Sequence, residues 1–73
     1  MDDLKQLAAS NIAKRLESYV AENNTTKEAV AQEIGCSRTA LYQKVSGNSS
    51  FTLFEGYKLA LLFGCQVSDF FAA

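Results

Sequence analysis

Arg38, Thr39, Tyr42 and Gln43 bring a guanidinium, a hydroxyl with its methyl, a phenol and a primary amide into one short stretch. On a helix opened by Ser37, an inward face of Ala40, Leu41 and Val45 turns these four, with Ser46, outward or sideways. Arginine can bond O6 and N7 of guanine with both arms of its fork, glutamine can do the same to adenine, and threonine offers a hydroxyl and a methyl that meets thymine. The stretch therefore carries chemistry for reading base edges rather than for breaking bonds.

The rest of the chain offers little to a catalyst. It contains no histidine, no nucleophile with a base at a recognisable spacing and no glycine-rich phosphate loop. Its paired carboxylates are Asp2 and Asp3, at a terminus expected to fray. Cys36 and Cys65 stand far apart with no C-x-x-C pair, so one subunit cannot supply four zinc ligands, and both read as small reduced core residues. The expectation is a protein that is not an enzyme and uses no metal, cofactor or small-molecule substrate.

Seventy-three residues, 48% hydrophobic and 21% charged, make one domain over 1–73 with a small core. The longest apolar run, Leu59 to Phe63, is far too short to cross a membrane, and acidic residues stand where a secretory signal needs positive charge. A cytoplasmic protein with no membrane partner is expected. Net charge is −1 and the pI is near 5.2, which argues against a surface that is basic throughout. Between Glu33 and Glu55, however, there is no acidic residue while Arg38 and Lys44 are present, so this window is locally +2.

Proline is absent, so glycines and capping residues must punctuate the elements. Leu4, Ala8, Ile12, Leu16 and Val20 recur at helical spacing and predict a helix over 3–22, opened by an Asp3–Gln6 capping box and stopped at Asn23-Asn24. A second helix follows over 26–34, with Thr25 and Glu28 as its box, and Gly35 ends it. Ser37 opens a third over 37–45, Thr52 and Glu55 box a fourth over 52–63, and Ser68 caps a short fifth over 68–72. The expected core is Leu16, Val20, Val30, Ala31, Ile34, Leu41, Val45, Leu59, Ala60 and Leu62.

A helix that stops at Gly35-Cys36-Ser37 and at once restarts is the pattern of a helix-turn-helix over about 26–45. The first helix braces the second, whose outer face stays free. Val30, Ala31, Ile34, Gly35, Leu41 and Gly47, followed by Leu59-Ala60 and the ending "ALLFGCQVSDFF", resemble the lambda-repressor and Cro family of phage and bacterial helix-turn-helix regulators from Thr25 to Phe71. The resemblance implies a compact all-α, five-helix lambda-repressor-like domain that binds double-stranded operator DNA as a repressor of transcription. By position it implies base contacts from Arg38, Thr39, Tyr42 and Gln43. It further implies backbone contacts from Lys27, Ser37, Lys44, Asn48 and Ser49. Relatives often carry glutamine where this chain has Lys27 and Arg38, so the operator sequence does not transfer.

One small module reaches too few base pairs for tight specific binding, so a homodimer spanning two half-sites is expected. The family joins its copies through the C-terminal helices, which implies an interface at Phe70 and Phe71. Adjacent residues on a helix point about 100° apart, so one ring can dock inward while the other faces out. A rival reading is an antitoxin-type or other protein-interaction module that uses the same helix for a protein partner.

Overall fold

The computed structural model describes residues 2–72, and every regular element among them is helical. Four α-helices, α1 (Asp2–Glu22), α2 (Lys27–Ile34), α3 (Arg38–Val45) and α4 (Leu53–Phe63), precede a 3-10 turn at Val67–Phe71. The expected fifth α-helix is thus a single tighter turn. It starts at Val67 rather than at Ser68, and the Asp69 carboxylate, not a Ser68 hydroxyl, accepts the leading N–H, that of Gln66, at 2.9 Å. So short a piece leaves almost no room for i to i−4 bonds, and the i to i−3 pattern satisfies it.

Each boundary has a local cause. Asn24 takes a φ of 52°, and the Asn23 amide donates to the Tyr19 carbonyl at 2.9 Å, which together stop α1. The cap of α2 is Thr26, whose hydroxyl accepts the Ala29 N–H at 3.1 Å; the expected Thr25–Glu28 box is one residue out of register. Ser37 caps α3 by accepting the Ala40 N–H at 3.1 Å. Thr52 and Glu55 form the full reciprocal box on α4. Only the Asp3–Gln6 box lies outside the described side chains.

Three of the α-helices end in the same way. At Gly35, with φ of +84°, the Cys36 N–H reaches back to the Ala31 carbonyl at 2.9 Å and the Gly35 N–H to that of Gln32 at 3.2 Å. Gly47 and Gly64 repeat this paired closure on α3 and α4. Gly56 differs: it is helical, and a β-carbon there would meet nothing within 4 Å. Close packing is not its reason. It borders an apolar groove of about 340 Å³ between α1, the α3–α4 loop and the 3-10 turn.

The core gathers Ile12 and Leu16 of α1, Val30, Ala31 and Ile34 of α2, Leu41 of α3, Leu59 and Ala60 of α4, and Phe70. Full burial of the larger of these side chains contributes about 1.5–3 kcal/mol each. Val20, Val45 and Leu62, expected inside, sit half-buried at its margin, whereas Ala9, Ile12 and Phe70 are within it. At 1.5 Å per residue α1 runs about 31 Å, close to the full 33 Å of the longest dimension, and its first apolar residue, Leu4, is left exposed. The Asn11 amide fastens the far end of the fold to α1, donating to the carbonyls of Phe70 at 2.7 Å and Ala72 at 2.9 Å. Among the described residues no helix is long and apolar enough to cross a membrane.

Candidate nucleic-acid interface

Leu41 is the anchor that fixes the rotation of α3. It is fully buried against α2 and its neighbours, and with the N-cap at Ser37 it sets which side chains point away. Arg38, Thr39, Tyr42 and Gln43 are all exposed, as is Ser46, so the four residues expected to read bases share the free side of one helix. The Ala31 side chain, nearly inaccessible, lets α3 cross α2 closely.

The cations on this side organise around one ring. The Arg38 guanidinium lies 5.3 Å and the Lys27 ammonium 5.7 Å from the centre of Tyr42, within the range of cation–π attraction. Lys27 also bonds Glu17 on α1 at 2.5 Å, and that hydrogen bond holds its pKa above the ordinary value. Lys27, expected as a backbone contact, ties α2 to α1 through this surface pair and touches the edge of the site.

Lys44 requires a larger correction. Its ammonium reaches both carboxylate oxygens of Glu55 at 2.6 and 2.5 Å, and both side chains are largely shielded from water. Burial alone would raise the Glu55 pKa, but hydrogen bonds from Lys44 and from the Thr52 N–H outweigh it and hold the carboxyl below its ordinary value. A cation neutralised in this way is a joint between α3 and α4, not a free phosphate contact. The local +2 of the sequence window shrinks accordingly, and among the described residues Arg38 is the member of this group with no carboxylate in salt-bridge reach.

Asn48 and Ser49 follow α3 in a loop folded back on its end. Their N–H groups donate to the Gln43 carbonyl at 2.9 and 3.2 Å, and the Ser46 hydroxyl donates to the same oxygen at 3.0 Å. These amides are consumed, so any grip on a backbone phosphate must come from side chains. The Asn48 amide donates to the Ser46 hydroxyl at 3.2 Å and stays exposed, whereas Ser49 is half-buried along the apolar groove. Ser37 spends its oxygen as the cap acceptor and keeps its own O–H available.

The dimer contact expected at Phe70 and Phe71 is half corrected. Phe70 is 1% exposed, packed edge-on against Phe63 with ring centres 6.2 Å apart, while Phe71 is 47% exposed. One ring does dock inward, and the inward one closes the core. Cys36 and Cys65 are free thiols, and burial pushes that of Cys36 up, which suppresses the reactive thiolate. The sequence reading missed Glu55 and Glu17 as partners of the two lysines. The Thr52–Glu55 box was legible, but not that the carboxylate would serve a second helix. No family model matches this chain, and neither does any curated protein or solved structure.

Proposed function

We propose that this chain is a sequence-specific, duplex DNA-binding transcriptional regulator, a Cro-like repressor acting in the cytoplasm. In this reading α2, the Gly35 turn and α3 are a helix-turn-helix within a lambda-repressor-like fold. The observation that carries it is the exposed quartet of Arg38, Thr39, Tyr42 and Gln43 on a helix whose rotation is fixed by the buried Leu41. A helix braced in this way enters a major groove without reorganising, and its leading residues meet the bases first. Arg38, held beside Tyr42, supplies bidentate reach to guanine; Thr39 and Gln43 extend the reading to neighbouring pairs. Repression follows from occupancy, since a bound copy blocks access of polymerase to the same duplex.

Two copies bound on half-sites one helical turn apart, about 34 Å, give the affinity that one module lacks. Selection of bound sequences from a random duplex pool is the test. Enrichment of one palindromic site with such spacing supports the reading, together with affinity that falls steeply as salt rises. Recovery of an unselected pool would overturn it.

A further inference from the structure

The outer side of α4 is apolar over its whole length. Leu53 is 79% exposed, Phe54 78%, Tyr57 57% and Leu61 64%. At about 100° per residue these four fall within one arc of the helix, while Glu55, Gly56, Leu59 and Ala60 occupy the buried arc opposite. No charge interrupts the stripe; Lys58 lies at its edge, beside a shallow hollow lined by Glu33, Lys58, Leu61 and Leu62. Together the four side chains expose on the order of 600 Å², as large as the biggest apolar patch on a typical monomer.

We propose that this face of α4 is where two copies of the chain associate, antiparallel, about a two-fold axis beside Tyr57. The spacing is self-complementary. Leu53 and Leu61 lie four residues either side of Tyr57, so an antiparallel pairing sets Leu53 of each copy on Leu61 of the other and Tyr57 on Tyr57. The same operation keeps Phe54 on its own side of the stripe, against the hollow beside Leu61 of the second copy. Covering the patch on both copies removes about 1,200 Å², the lower limit for a stable specific interface. Phe71, a single half-exposed ring, cannot approach that area. The proposal relocates the contact that would join two DNA readers, and rests on the preceding reading only for its use on an operator.

The experiment is sedimentation of the protein without DNA, from micromolar to millimolar concentration. Wild type should pass from monomer to dimer in this range. Leu53→Glu and Leu61→Lys each place a charge against a leucine and should weaken association at least about tenfold. A carboxylate near the start of α4 and an ammonium near its end suit the helix dipole, so circular dichroism should show unchanged helicity. Combining the two substitutions sets the new carboxylate of each copy against the new ammonium of the other, twice over, and should recover part of the association that either single loses; Phe71→Ala should leave the wild-type dimer intact. A wild type that stays monomeric throughout, singles that associate normally, a double that recovers nothing, or loss on Phe71→Ala would each overturn the proposal. None of these outcomes depends on whether the protein binds DNA.

Discussion

The Lys44 ammonium of α3 and the Glu55 carboxylate of α4 meet at 2.5 Å, and the same carboxylate accepts the Thr52 N–H at 2.8 Å. One acidic side chain therefore caps α4 and fastens α3 to it. The helix that carries the candidate reading face is held from beneath by a charge pair and from the side by Leu41.

Removing one partner of this pair should cost more than removing both charges. Lys44→Met leaves a shielded carboxylate unpaired and should destabilise the domain by about 3 kcal/mol. Lys44→Met with Glu55→Gln keeps an acceptor for the Thr52 N–H without the orphan charge, and should recover most of that loss. Urea denaturation of the two singles and the double closes the cycle. A cost under about 0.5 kcal/mol for Lys44→Met would make the pair no stronger than a surface one.

The pH dependence follows from the same group. The Glu55 carboxyl is held below its ordinary value of 4.5, so the folded protein binds this proton more weakly than the unfolded chain does. Its contribution is complete above the unfolded value and is lost as pH falls through the lower, folded one. Stability measured from neutral pH downward should begin to fall near pH 4.5, and Glu55→Gln should flatten that limb. An identical acid limb in the variant would place the dependence on other carboxylates.

On DNA, Arg38 and Lys44 should separate cleanly. Arg38→Ala should cost roughly 1–3 kcal/mol on the selected site and relax preference at one base pair. The paired change at Lys44 and Glu55 should leave the salt slope nearly unaltered, because a cation already neutralised by the protein releases few counterions from the duplex. Equal losses on selected and random DNA for Arg38→Ala would make Arg38 a phosphate contact.

The glycines give opposite signs. Gly35 adopts a φ of +84° with open space around its missing side chain, so Gly35→Ala should cost about 1–2 kcal/mol from backbone strain alone. Gly56 sits in helical backbone beside the apolar groove, and Gly56→Ala should stabilise by about 0.5–1 kcal/mol. Thermal unfolding of the two variants reads both; a destabilised Gly56→Ala would mean the groove is narrower than its lining suggests.

Residues whose role is local were legible in the sequence. Ser37, Thr52 with Glu55, Asn24, Gly35 and Gly64 act on backbone a few residues away, and each stops or starts its helix where expected. Inward positions of the short helices were equally plain, because Val30, Ala31, Ile34 and Leu41 recur at one period. What escaped depends on distant partners. Lys44 looks like any solvated lysine until α4 brings Glu55 beneath it, and although Leu59 and Ala60 were expected inside and are buried, nothing local shows that Leu53, Phe54, Tyr57 and Leu61 stay uncovered on the other arc. Helical spacing marks apolar residues right round α4, and only the packing of the other helices shows how much of that circumference is covered.

Asn11 grips the carbonyls of Phe70 and Ala72, 59 and 61 residues further along the chain, and Ile12 and Leu16 lie in the core that Phe70 completes. Of the five elements, α1 leaves the ribosome before the others and must wait for the 3-10 turn to follow it. Until Phe70 and Ala72 have cleared the exit tunnel, α1 lacks part of the seat for its apolar side, while α2 and α3 can already meet through neighbours in sequence. A nascent chain arrested before that point should hold α2 and α3 paired beside an undocked α1, and a protease added to the stalled complex should cut within α1 first.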